Sequence, residues 1–437
     1  MKNLKKSGIV FVIIIILFSC THDDNLEKDF NSSKSDLKNN IETNRVLNRR
    51  DLPVYSKDKL IVRYAPGTSN NTKSTLRDFY GVANFKLCEN CSDQSIELWI
   101  FDGIIDIEPK KTAIEQGSGG GVEAIIDVDY EFTFGIDINN PDVGTLIDTS
   151  YFSHIKPSND GVTIAVLDTG IAPTIGGISE PVFDTRFLYN ASYGSNPNVY
   201  SGWDFVNIDH NAFDDNNGRH GTVVTSIITE ILNNSQSLVH HQIIPLKVCD
   251  QYGKASYFNF LCATSYGLEY ADILQMSLGW YDDGFGDFLN TIVSSLIDEH
   301  PETLIVTSAG NLENNNDIRA HYPSSYSHDN IIAVAAADKS INDISTLSIS
   351  NIAWFSNYGV ESVDVFSKGQ YIPFLGYDMS GTSFAAPVVT GVLARLKNNN
   401  PSYTAGELKY LLIASGIDCP ITFDSTKKVK YNKIILP

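Results

Sequence analysis

The chain has 437 residues, 42% apolar and only 19% charged, the balance of an ordinary globular protein with room for two or three folded units. Its formal charge of −20 argues against a nucleic-acid partner, because no basic excess is there to replace phosphate counterions. A solvated acidic surface accounts for that charge.

The first residues, MKNLKKSGIVFVIIIILFSC, place Lys2, Lys5 and Lys6 before an apolar run from Ile9 to Phe18. That run is too short to cross a bilayer, which takes about 20 residues, and has the size of a secretory signal core. It ends in Leu17-Phe18-Ser19-Cys20, which resembles the lipobox of bacterial lipoproteins, with Phe18 a looser choice than usual. The resemblance implies a signal peptide over 1–19, acylation of Cys20, and a location at the cell envelope, on the outer membrane or cell surface. An oxidising location permits disulfides. Cys88 and Cys91 form a lone C-x-x-C, a weak zinc signal without a second pair. Cys249, Cys262 and Cys419 lie far from it. A Cys249–Cys262 bridge is one open pairing, since connectivity is not readable from spacing.

Residues 20–57 are polar and lack apolar periodicity, as in a disordered tether. From Lys59 the pattern changes. KLIVRYA reads as a strand, PGTSNN as a turn, TKSTLRDFYG as a helix with Leu76 and Phe79 on one face, and SIELWIF as a strand. DIEPKKTAIEQ reads as a second helix broken by GSGGG, and VEAIIDVDYEFTF alternates as a final strand. A β-α-β-β-α-β order suits a small ferredoxin-like α+β unit over 58–135. A polar connection, 136–155, follows.

The remainder, 156–437, alternates short buried strands with helix-period runs. VTIAVLD, IIPLKV, DILQMSL, TLIVTSAG and IIAVAAA are the strands; TVVTSIITEIL, SYFNFLCATSYGLEYA and DFLNTIVSSLIDEH are the helices. Strands without polar alternation, separated by helices, predict an α/β fold of three layers with a mostly parallel sheet. Chemistry in such sheets collects at the carboxyl ends of strands.

Asp168-Thr169-Gly170 ends the strand TIAVLD. An acid pair would need a second such triplet, which the chain lacks. The other use of a strand-end carboxylate is to orient a histidine that deprotonates a serine. His220 sits in NNGRHGT at a glycine-flanked loop-to-helix junction, while His240, His241, His300, His321 and His328 have surface or structural settings. Ser383 sits in MSGTSFAAPVVTGVLARL, where Gly381-Thr382 turns into a small-residue helix and Pro387 falls near its first turn. SAGN places the Asn311 carboxamide after the strand TLIVT, where it could donate to an oxyanion.

Together these stretches resemble the subtilisin-like serine proteases. VLDTGI, HGT, MSLG, SAGN and GTSFAAP occur in that family's order across about 162–415. The resemblance implies a serine endopeptidase acting on polypeptides, with no cofactor needed for the chemistry. Ser383 would be the nucleophile, His220 the base, Asp168 its orienter, and Asn311 with the Ser383 N–H the oxyanion hole. Ser277, Leu278 and Gly279, with Gly253, would pair with an extended substrate. The N-terminal unit then resembles the family's propeptide, an inhibitor and chaperone whose tail occupies the active site until self-cleavage within 136–155. Since the lipid would sit on the propeptide side, that cut would release the catalytic domain.

Two departures from the family pattern are Val223 and Val388, expected to pack near each other as one coupled apolar exchange. GWDFVNIDHNAFDDNNGRHGT resembles a calcium loop of some relatives, with Asp204, Asp209, Asn211 and Asp214 or Asp215 as oxygen ligands. The competing reading is a turn-rich loop with solvated acids. Two other functions compete with a general endopeptidase: a maturation protease or peptide ligase of narrow specificity, and a non-catalytic surface binding protein.

Overall fold

The computed structural model describes residues 53–88, 94–117, 124–136, 152–153, 161–173, 175, 182, 200–234, 239–282, 290–338, 352–419 and 425–437. Cys20, Cys91, the signal segment, most of the tether and most of the 136–155 connection lie outside them.

The N-terminal unit runs β1 (Val54–Tyr64), α1 (Asn70–Tyr80), β2 (Asn84–Leu87), β3 (Ile96–Ile100), α2 (Ile107–Glu115) and β4 (Ile125–Gly135). Its strands are antiparallel in the order β4-β1-β3-β2. β1 opens at Val54, ahead of the expected boundary at 58, because Tyr55 pairs with Phe132. Ser69 caps α1 by accepting from the Thr72 N–H, and Gly81 ends it in the left-handed conformation. Alternation sorts the sheet's two faces. Leu60, Val62, Trp99 and Val128 pack with Tyr80, Ile107 and Ile114 into the unit's own core. Ile61, Leu98, Phe132 and Phe134 point the other way.

The C-terminal unit supplies β5 (Val162–Asp168), α3 (His220–Asn233), β6 (His241–Lys247), β7 (Lys254–Ser256), α4 (Tyr257–Tyr270), β8 (Ile273–Met276), α5 (Thr291–Asp298), β9 (Leu304–Ser308), β10 (Ile331–Ala337), β11 (Val365–Lys368), α6 (Thr382–Asn399), α7 (Ala405–Ser415) and β12 (Lys433–Ile435). Its main sheet has the order β12-β11-β10-β9-β8-β5-β6, all parallel, with Trp203–Asp204 beyond β6. Only the short edge piece Ile417–Asp418 runs antiparallel. Helices α3 and α6 pack against one face, with Val223 and Val388 in that one cluster. Helices α4 and α5 cover the other face. This is the three-layer α/β arrangement that the uninterrupted apolar strands predict.

The two units share a continuous seam. β4 pairs with β7 in antiparallel register, Phe134 opposite Ala255, so the N-terminal sheet gains a fifth strand from the C-terminal unit. Phe132 stacks on Tyr257 at 4.7 Å, and Phe134 packs on Trp280 at 5.0 Å and on Phe260 at 5.8 Å. Burying each of these phenylalanines contributes about 1.5–3 kcal/mol.

Polar groups register the seam. The Asp129 carboxylate accepts from the Thr291 and Ile292 N–H groups at the start of α5, and Glu131 accepts from the Phe258 N–H at the start of α4. One strand of the N-terminal unit thus caps α5, which has no side-chain cap of its own, and adds to the Ser256 cap of α4. Arg63, buried, reaches Glu299 at 2.6 Å. Finally, a disulfide joins Cys88 to Cys262, whereas Cys249 and Cys419 remain buried thiols. The pairing Cys249–Cys262 is thereby corrected. Cys262 lies on the buried side of α4 that receives the N-terminal sheet, so its partner comes from across the seam.

Candidate active site

Asp168 is the last residue of β5 and is wholly buried. Its strand runs between β6 and β8, which fixes the carboxylate at the rim of the sheet. The chain then turns through Gly170, whose φ of +105° suits glycine, and a Cβ there would lie 2.5 Å from the Ala212 carbonyl oxygen.

The first turn of α3 docks on this turn. Gly221 N–H donates to Thr169 Oγ1 at 2.9 Å, and the Ala172 N–H donates to Thr222 Oγ1 at 2.9 Å. A Cβ on Gly221 would stand 2.3 Å from the Gly170 carbonyl oxygen, so only glycine permits the approach. Ahead of the helix, Arg219 takes a left-handed φ of 49° and donates its guanidinium to the Asp214 and Asn216 carbonyls. The result is a contact of 2.7 Å between His220 Nδ1 and Asp168 Oδ1, both side chains buried.

Ser383 is the second residue of α6 and is 7% exposed. Its neighbour Phe384 packs its ring 5.3 Å from the His220 imidazole, which brings the start of α6 beside the histidine. Pro387 falls beyond the first turn, where its missing N–H leaves the Ser383 carbonyl without its helical donor. Ser277 takes the place of that donor. Its hydroxyl donates to the Ser383 carbonyl at 2.7 Å and accepts from Gln275 Nε2 at 2.8 Å. Gln275 in turn holds Thr390, two α6 turns beyond Ser383.

Asn311 is oriented by Thr382. Its Oδ1 accepts from the Thr382 N–H at 2.8 Å and from the Thr382 hydroxyl at 2.9 Å, while Thr382 Oγ1 accepts from the Gly310 N–H at 3.1 Å. With the oxygen so engaged, the Nδ2 donors face away from Thr382. A Cβ on Gly381 would lie 3.6 Å from Nδ2, which puts the amide at the mouth of the Gly381-Thr382 turn.

The expected substrate-pairing residues separate by role. The Ser277 side chain is spent on α6, and Leu278 is 2% exposed within the core, so only backbone remains to pair with a peptide there. Gly279 is closed in by the Tyr322 carbonyl and the His321 ring. At Gly253 the edge is already taken, because the Ile136 N–H donates to the Gly253 carbonyl at 3.0 Å, continuing the β4–β7 pairing.

The calcium ligand set is not assembled. Asp204 accepts from the Val206 and Asn207 N–H groups, Asp209 from Asn211, and Asp214 from Asn216 and twice from Thr222. Asp215 pairs with Lys247. These are turn, cap and ion-pair contacts, and Asp209 and Asn211 are exposed while Asp214 is buried against α3. The residues do not fit a cation that requires about 6–8 converging oxygens. Among the described residues no group of three acidic, histidine or cysteine side chains could hold a metal ion.

Spacing could not have shown the supporting residues Thr169, Thr222 and Thr382, since they act across elements. His321 is buried beside Gly279 and Gly310, and its Nδ1 meets Ser324 Oγ at 2.9 Å. Burial, helped by the Arg319 charge, pushes its pKa down to about 3 and keeps it neutral. Burial raises the Asp214 carboxyl above its usual range, with the neighbouring Asp168 charge adding to the effect.

The model of the subtilase family matches residues 159–431. The thermostable alkaline protease of Halalkalibacterium halodurans is 31% identical over 57% of this chain and 60% of its own length. The alkaline serine exoprotease A of Vibrio alginolyticus is 25% identical over 84% of this chain and 63% of its own. This chain thus spans about three-fifths of those curated relatives. A solved cold-adapted subtilisin-like serine proteinase aligns with 67% of this chain and 96% of that one, at 22% identity and a TM-score of 0.45. With the family match covering more than half of the sequence, including Asp168, His220, Asn311 and Ser383, the chain belongs to the subtilase family.

Proposed function

We propose that this chain is a serine endopeptidase that cleaves polypeptides through an acyl-enzyme on Ser383. The observation that carries the reading is the buried 2.7 Å contact of His220 Nδ1 with Asp168, beside the start of α6. The Asp168 carboxylate accepts the Nδ1 proton, which leaves Nε2 as the basic nitrogen of a neutral imidazole. Nε2 takes the Ser383 hydroxyl proton as Oγ attacks the peptide carbonyl, and the resulting imidazolium is stabilised by Asp168. Asn311 Nδ2 and the Ser383 N–H, at the positive end of α6, donate to the oxyanion. His220 then gives its proton to the leaving amine. Water repeats the sequence on the acyl-enzyme, so the cycle is complete with these groups and water alone.

The N-terminal unit acts as a propeptide in this reading. Its last strand, β4, lies along β7, and its end bonds the Gly253 carbonyl, where an extended substrate would pair. The chain beyond Ile136 is the segment proposed for self-cleavage. With Cys20 acylated, the propeptide side carries the membrane anchor, and the enzyme works at the cell envelope or outside it. Among the described residues no helix is long and apolar enough to cross a membrane.

Purified full-length chain and its Ser383→Ala variant, incubated side by side and sequenced from the new N-terminus, test the reading. Cleavage within residues 137–155 of the first chain alone is expected. Identical cleavage of both, or of neither, contradicts it.

A further inference from the structure

Cys88 stands just after β2 at the edge of the N-terminal sheet, and Cys262 lies in α4 of the C-terminal unit; their disulfide bridges Cα atoms 5.2 Å apart. The two positions are 174 residues apart, and residues 137–155 lie inside the loop that the bond closes. We infer that Cys88–Cys262 is a covalent tether between propeptide and enzyme, so that cutting the chain frees the enzyme only after a dithiol reduces this bond. The inference rests on the zymogen reading above, and adds a second lock to it.

The physical consequence is one of concentration. A propeptide held only by β4 pairing, aromatic contacts and helix caps dissociates and dilutes once its peptide link is cut. One held by a disulfide rebinds as an intramolecular partner, at an effective concentration of the order of millimolar. The lipid anchor proposed at Cys20 would be retained on the enzyme in the same way.

The bond lies in the apolar cluster that both units share, so exchange follows when cutting the chain loosens the seam. Both cysteines are 1% exposed while the units are docked. A crevice of about 60 Å³, lined by residues of both units, among them Lys86, Leu87, Trp203, Phe205, Phe258 and Cys262, reaches the α4 cysteine. The other described thiols are poor competitors. Burial pushes Cys249 well up and Cys419 up to about 12, which keeps both protonated and unreactive.

The exchange balances without further reactants. One thiolate of the dithiol attacks a bridge sulfur, forming a mixed disulfide and expelling the other cysteine as a thiolate. The second thiol then displaces the remaining cysteine by closing the reagent's own disulfide. Two electrons pass to the bridge, and the two cysteines take up the two protons lost by the dithiol.

The test separates this inference from self-cleavage. A recognition sequence for a site-specific protease is placed within 137–151 of the full-length Ser383→Ala chain, which is then cut by that protease. In denaturant without reductant the two fragments should migrate as one species, and with dithiothreitol as two. Cys88→Ser should give two in both conditions, and disulfide mapping of the uncut chain, which needs no variant, should return a Cys88–Cys262 peptide pair. Fragments that part without reductant, or a free Cys262 thiol, overturn the tether. In the self-cutting chain, dithiothreitol should raise activity from a low plateau to that of Cys88→Ser. Equal activity with and without dithiothreitol after complete cutting overturns the lock. A chain that never cuts itself, yet is tethered when cut artificially, sinks the zymogen reading and leaves the bond standing.

Discussion

His220 Nδ1 and Asp168 Oδ1 lie 2.7 Å apart with neither side chain reaching solvent. In that setting the carboxylate decides which imidazole nitrogen carries the proton. Asp168→Asn keeps the shape and removes the charge, so the imidazole is free to adopt the unproductive tautomer. A fall in kcat of about 10⁴-fold is expected. Turnover of a chromogenic peptide checks it, with thermal unfolding close to that of the parent showing that the fold persists.

Asn311 is held through its oxygen by Thr382, which leaves its amide hydrogens for the substrate. Asn311→Ala should lower kcat by about 10²–10³-fold, the range for loss of an oxyanion asparagine in this family, with KM nearly unchanged. A change confined to KM would assign Asn311 to ground-state binding instead.

Ser277 occupies the donor position that Pro387 vacates. Ser277→Ala leaves the Ser383 carbonyl buried and without this donor, and should destabilise the catalytic unit by about 1–3 kcal/mol. Denaturant unfolding reads the loss. A double change, Ser277→Ala with Pro387→Ala, restores a helical N–H donor and should recover most of it. Failure of that rescue would show that the two residues are not coupled.

The seam should respond to pH through Asp129 and Glu131. Burial raises Asp129 from 3.8 to about 6 and Glu131 from 4.5 to about 7, against the opposing pull of helix N–H groups, Thr291 and Lys111 on the first, and of Phe258, Ser256, Lys59 and Lys86 on the second. Tyr257 also faces Asp129, at 3.2 Å. A raised carboxyl pKa in the docked state means that docking takes up protons. This contribution to docking is therefore complete below the solvated values and is lost as pH rises through the docked ones. In a cut Cys88→Ser chain, propeptide dissociation should be faster at about pH 8 than at about pH 5, and Asp129→Asn should weaken that dependence. Dissociation that quickens toward acid would reverse the sign and reject the account.

The sequence made the parts of the site legible where each is local. Asp168 closes an uninterrupted apolar strand, His220 opens a helix after glycine, and Ser383 begins a run of small residues, so their elements follow from pattern alone. Three strands and two helices of the N-terminal unit were readable for the same reason, but β2, four exposed residues, was not. The partners that hold the site were not, because Thr382–Asn311 and Ser277–Ser383 join residues 71 and 106 positions apart. Cys262 found Cys88 rather than Cys249 because docking of the N-terminal sheet, not spacing, sets what lies against α4. The acidic loop before His220 left a cation site and a turn-rich loop both open. Its carboxylates resemble a cation site in sequence, but local N–H groups, Thr222 and Lys247 take them first. β11 and β12 carry too few residues for their period to show, and the sheet's neighbours define them.

The central claim is that the Ser383 hydroxyl is the nucleophile. A fluorophosphonate probe, which phosphonylates an activated serine, measures this directly when applied to the cut and reduced chain and mapped by peptide mass. Labelling on the peptide that contains Ser383, absent in Ser383→Ala and strongly reduced in His220→Ala, is the predicted result. Label of equal intensity on the Ser383→Ala chain, or none on the parent, would contradict the account.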